Sequence, residues 1–153
     1  MTFLVTVKTL RRSLVVLAAA AVLPITAGEA GATPGTGVTA VNLSDSTVDG
    51  TTYVAKLLTI APGGSTGWHF HEGGIFGAVQ KGTLTHYSSD CKVDGVYPAG
   101  SAITERSGAG YVHLGRNEGP DPVVMWVMYA NPAVTPPQPL ATDMPDPGCR
   151  LPG

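Results

Sequence analysis

The stretch Gly63-Gly64-Ser65-Thr66-Gly67-Trp68-His69-Phe70-His71-Glu72-Gly73-Gly74-Ile75 decides the fold. Glycines bracket it on both sides, and between them lies a short β-prone run, Thr66–His71. Residues two apart on a strand project from one face. His69 and His71 therefore present both imidazoles to one side, where they can grip one ion, while Trp68 and Phe70 point the other way and are expected to pack the outer layer. The Gly-rich start precedes no helix and reads as a turn rather than a phosphate loop.

Outward from this stretch the same texture continues. β-prone runs at Val38–Leu43, Thr52–Ile60, Thr66–His71, Ile75–Val79, Thr83–Ser88, Val93–Tyr97, Ala102–Glu105, Tyr111–Arg116 and Val123–Tyr129 alternate with Gly-, Pro- and Asp-containing breakers. None carries a helical period long enough for a crossover, so an all-β antiparallel sandwich or barrel is expected. The 153 residues include 20 Gly and 13 Pro but only 13% charged side chains, which excludes a solvated disordered chain and a long coiled coil. A net charge of −2 with no basic stripe argues against a nucleic-acid partner.

A third histidine, His113, lies in Gly110-Tyr111-Val112-His113-Leu114-Gly115-Arg116-Asn117, a short strand behind a Gly-rich turn. Three neutral imidazoles, His69, His71 and His113, suit a divalent metal ion: Zn, Cu, Fe, Ni or Mn, which the residues do not distinguish. His86 shares strand parity with Leu84; if Leu84 points inward, His86 lines the same pocket, as a hydrogen-bonded core or rim residue or as a proton carrier. Glu72 faces away from both ligands on a regular strand, and the facing of Glu105 is not readable; both are expected to be solvated surface acids. Trp126 is expected in the core, and Arg116 and Asn117 are expected to hold a loop.

These residues resemble the two motifs of the cupin superfamily. The first is a Gly, five residues, His-x-His, three or four residues, Glu, six residues and Gly; here Gly63, His69, His71 and Gly82 hold the spacing, and Ile75 stands at the Glu position. The second runs Gly, five residues, Pro-x-Gly, two residues, His, three residues, Asn; Gly108 takes the Pro position, Gly110, His113 and Asn117 fall in register, and Gly100 is two residues further out than the pattern asks. The resemblance covers roughly Val41 to Tyr129 and is closest to small secreted bacterial cupins with a Gly-Trp-His-x-His start. It implies a cupin-type jelly-roll β-barrel with His69, His71 and His113 pointing inward at one mouth, a small-molecule ligand, and a homodimer through edge strands as one form of assembly. With the carboxylate lost, Ile75 adds an apolar wall and leaves a position for water or substrate.

The flanks read differently. Residues 1–32 carry Lys8, Arg11 and Arg12, then an apolar run ended by Pro24, then Ala27, Ala30 and Ala32. The run is about ten residues where a spanning helix needs about 20, so a signal peptide is expected, cleaved after Ala32 or Ala27. Arg11-Arg12 also fits a twin-arginine start. Export to the cell envelope or medium follows, with no stable membrane insertion after cleavage. Residues 33–40 are expected to be a linker, 41–130 the barrel, and 131–153 a tail with seven prolines lying extended over the surface. In an exported chain Cys91 and Cys149 read as a disulfide tying that tail to the body, worth about 3–4 kcal/mol in the loop-entropy model.

Three functions compete on these residues. One is a metal-binding cupin using open coordination positions, as an oxygenase would. Another is a metal-free module holding a small molecule or sugar in the barrel mouth. A hydrolytic zinc site ranks last, because it needs a general base from Glu72, Glu105 or His86 and nothing in the sequence marks one.

Overall fold

The computed structural model describes residues 33–152, so the expected signal peptide at 1–32 lies outside the described residues. Ten strands follow in order: β1 (Thr36–Val48), β2 (Thr51–Ser65), β3 (His69–Phe70), β4 (Gly74–Lys81), β5 (Thr83–Ser88), β6 (Val93–Pro98), β7 (Ala102–Glu105), β8 (His113–Arg116), β9 (Val123–Pro132) and β10 (Thr142–Asp143). There is no helix among the described residues. The period-two pattern explains the strands. On β9, Val123, Met125, Val127 and Tyr129 are buried while the residues between them are only partly covered. On β2, Val54, Leu58 and Ile60 point the same way into the core. With Ile75, Val79, Leu84 and Ile103 these side chains form one apolar interior.

Every pairing is antiparallel. One half of the jelly roll runs β1-β2-β9-β4-β7 and the other β10-β3-β8-β5-β6, and the two join where Ser65 at the end of β2 meets Arg116 on β8. This arrangement stations the ends of β3, β7 and β8 around one mouth of a nearly closed barrel. Asn117 closes the turn after β8: its side-chain amide donates to the carbonyls of Ile60 and Asp121, and its Oδ1 accepts from Gly119 N.

Several expectations change. Only His69 and Phe70 of the run Thr66–His71 are strand, and β1 begins at Thr36, inside the stretch expected to be linker. Trp126 is not core. It is half-buried on the outer face of β9, edge-on to Phe76 at 6.2 Å between ring centroids, because its neighbours Met125 and Val127 take the inward positions. Trp68 packs outside the barrel as expected, in a second cluster with Tyr87 and Leu114 against Met144, Cys149 and Leu151 of the tail. The tail is more than a surface strap: β10 pairs with β3, with Asp143 opposite His69, and Leu140 packs against the barrel core. Cys91 and Cys149 are disulfide-bonded and anchor its end.

Candidate metal centre

His69 and His113 are direct cross-strand partners on β3 and β8, which brings their rings to 4.5 Å between centroids. His71 follows β3 on the same face, 4.7 Å from His69 and 5.2 Å from His113, its backbone carbonyl held by Gly108 N. The three histidines are buried. A fourth group joins them. Glu105, the last residue of β7, turns its carboxylate inward at 11% side-chain exposure, with Oε2 3.0 Å from His71 Nε2 and 3.2 Å from His113 Nε2. The ligand atoms of His69, His71, Glu105 and His113 all lie within 4.8 Å of one another.

Glu105 is therefore no surface acid. Its partner across the β4–β7 pair is Ile75, the residue standing where the motif asks for a glutamate. The signal that finds it is strand parity: Ile103, two residues earlier, is a core residue at 2% exposure, and Glu105 shares its face. Glu72 lies outside the cluster, as its parity implies, although it is half-buried rather than a solvated surface acid.

The outer nitrogens decide what the inner ones can do. His69 Nδ1 donates to Gly67 O at 2.8 Å, His71 Nδ1 to Leu140 O at 2.6 Å, and His113 Nδ1 to Tyr111 O at 2.9 Å. A carbonyl oxygen only accepts, so each neutral ring carries its proton on Nδ1 and turns an Nε2 lone pair toward the centre. The Nε2 atoms of His69 and His71 are 3.1 Å apart, and His113 Nε2 is buried without a hydrogen-bond partner. Lone pairs facing one another and a carboxylate at these distances repel unless a cation lies between them. Backbone carbonyls behind each ring are also the usual way of orienting imidazole ligands. The donor set, three imidazoles and one carboxylate, fits a divalent first-row metal ion.

Electrostatics agree. Burial first, then the neighbouring His113 and His71, pushes the His69 pKa down to about 4, which keeps the ring neutral and able to ligate. Burial alone would raise the Glu105 carboxyl, but positive charge shared among the facing rings of His113, His71 and His86 holds it well below the usual carboxylate range, the charge that a bound cation supplies once the rings are neutral. His86 stands behind the cluster: its ring stacks on His113 at 4.9 Å, its Nδ1 is 2.5 Å from Asp94 Oδ1, and its Nε2 is 3.6 Å from Glu105 Oε1. It is buried on the same strand face as Leu84, as its parity implies.

The sequence model of the cupin domain family matches residues 56–129, spanning β2 from its sixth residue to β9 and including all four of these groups. The chain belongs to the cupin superfamily. Solved structures agree on the fold of this cupin. The polyketide cyclase RemF from Streptomyces resistomycificus is 24% identical over 74% of this chain and 78% of its own, with a TM-score of 0.56. An oxalate oxidase in complex with glycolate is 24% identical with a TM-score of 0.52, and the chain spans about half its length, 52%. A cupin-2 domain from Rhodospirillum rubrum is 15% identical over 64% of this chain and 62% of its own, with a TM-score of 0.53. No curated protein matches the chain by sequence.

The cluster opens onto a cavity of about 270 Å³ inside the barrel, walled mainly by apolar side chains that include Leu58, Ile75, Met125, Val127 and Leu140. Tyr129 also lines it, its ring 5.7 Å from that of His71, and burial pushes its phenol up to about 12.

Proposed function

We propose that this cupin holds one divalent cation between His69, His71, His113 and Glu105 and offers it to a small molecule in the adjoining cavity. The observation that carries the reading is the convergence of four ligand atoms within 4.8 Å while the Nδ1 atoms of His69, His71 and His113 are each turned outward to a backbone carbonyl. Bound there, a cation of the Fe, Mn, Zn, Ni or Cu class supplies Lewis acidity and open coordination positions, the chemistry of an oxygenase being the activity favoured. The chain's own residues set the conditions. Ile75, Met125 and Val127 give the cavity an apolar wall, and Tyr129 presents a neutral phenol beside His71. The Cys91–Cys149 disulfide supports an oxidising, exported setting, in keeping with a signal peptide over residues 1–32. β1 pairs with β2 and, among the described residues, with no strand on its other edge, which supports a second copy adding there.

Elemental analysis of the purified protein, beside a variant with His69→Ala and His71→Ala, tests the centre. Stoichiometric metal in the parent and its loss from the variant are expected. Absence of metal from both after reconstitution overturns the reading and leaves a metal-free small-molecule binding module. Oxygen uptake with diketones or phenols then tests the oxygenase activity.

A further inference from the structure

Lys56 breaks the pattern of the strand it sits on. The inward positions of β2 before and after it are Val54, Leu58 and Ile60, all buried and apolar, and the residue paired with it on β9 is the buried Val127. A charged side chain at an inward strand position costs desolvation unless a partner compensates it. Among the described residues Lys56 has none: it forms no salt bridge and no side-chain hydrogen bond, although Asp45 lines the neighbouring groove with it. It is half-buried, and it lines the same cavity as His69, His71 and Glu105.

Apart from the histidines and Glu105, this cavity is nearly all apolar, and among the described residues Lys56 is the one cationic side chain lining it. We infer that Lys56 is a specificity-determining residue that takes the carboxylate of a small, otherwise apolar organic acid, whose other end faces the histidine cluster. The volume, about 270 Å³, lies just below the small-ligand range of about 300–1,000 Å³ and fits a single ring or a short branched chain rather than an oligosaccharide. An ammonium on a flexible stem receives a carboxylate as a point charge, and a low-dielectric wall strengthens that attraction. The inference rests on the proposed metal centre for the position of the ligand's far end, but the charge preference belongs to Lys56 alone.

The test uses the full exported chain and a panel of aromatic and short aliphatic monocarboxylates, each beside its primary amide, with affinity read by isothermal titration and metal content by elemental analysis. At least one carboxylate is expected to bind tenfold or more tighter than its amide. That preference is expected to vanish in K56Q and K56M and to persist in K56R, with metal content equal throughout. If the preference survives in K56Q and K56M, the carboxylate is held elsewhere and the inference falls. It falls equally if carboxylates bind no tighter than amides, or if no member of the panel binds the metal-loaded protein. Protein without metal overturns the proposed centre instead, and a carboxylate preference lost with Lys56 in that protein would still uphold the inference. Thermal melts of the three variants establish that each is folded.

Discussion

Ile75 on β4 and Glu105 on β7 are direct cross-strand partners, and the carboxylate missing from the first motif is supplied from the second of these positions. Directly opposed residues of an antiparallel pair have Cβ atoms about 4.5–5.5 Å apart. Moving an acid from one strand to its neighbour therefore keeps it within reach of the same histidines, and Glu105 meets His71 and His113 at 3.0 and 3.2 Å.

The exchange is testable as a double-mutant cycle. Glu105→Gln keeps the shape and removes the charge, and metal affinity is expected to fall at least about tenfold. Ile75→Glu with Glu105→Ile returns one carboxylate to the opposite strand, and the double variant is expected to bind metal more tightly than Glu105→Ile alone. Competition titration against a chelating dye measures these variants together with Ile75→Glu alone, which completes the cycle. Additive effects, with no recovery in the double variant, would show that the two positions are not equivalent.

The tail carries part of the proposed centre, since Leu140 O accepts from His71 Nδ1 and orients that ring. Replacing Cys91 and Cys149 by Ser frees the end of the tail and is expected to cost about 3–4 kcal/mol of stability in denaturant melts. Metal affinity is expected to weaken alongside, because His71 loses its orienting partner. A variant equal to the parent in both measurements would show that the tail holds its place without the bond.

Gly67 is the glycine on which His69 depends. Its φ is +74°, a Cβ there would lie 2.0 Å from Thr33 O, and its carbonyl receives the His69 Nδ1 proton. Gly67→Ala adds about 1–2 kcal/mol of left-handed backbone cost to a clash with main chain. A lowered melting temperature together with reduced metal content is expected; a stable variant with full metal content would contradict this reading.

Acid should destabilise the metal-free protein through His69. Its pKa is about 4 when folded against 6.5 otherwise, so between these values the unfolded chain binds more protons and stability falls as pH falls. The loss is about 3 kcal/mol at most across that window. His86, whose pKa burial lowers but Glu105 and Asp94 together raise, acts in the opposite sense: its contribution is complete below 6.5 and is lost as pH climbs through the folded value. Denaturant melts of chelator-treated protein between pH 4 and 7 check the slope, which is expected to flatten in His69→Gln.

Much of the molecule was legible locally. Period-two alternation and Gly/Pro punctuation located strands β1 to β9, and the spacing of two motifs around His69, His71 and His113 pointed to the barrel and its mouth. The same alternation put His86 beside Leu84 and the indole of Trp68 outside. These features are properties of a single strand, so the chain alone determines them.

Three things needed the tertiary structure. Parity shows that Glu105 shares the face of Ile103, but only the pairing of β7 with β4 turns that face to the histidines, and that pairing joins segments about 30 positions apart. The carbonyls of Leu140, Gly67 and Tyr111 that fix the three tautomers are backbone groups, which any residue type could supply. Parity lines Lys56 up with Val54, Leu58 and Ile60, but only closing β2 into the barrel between β1 and β9 sets it on the same cavity as His69, His71 and Glu105. The sequence by itself determined which histidines could act together; the long-range strand register decided which carboxylate and which cation face them, because pairing partners are chosen by the packing of the whole sheet rather than by any residue's neighbours.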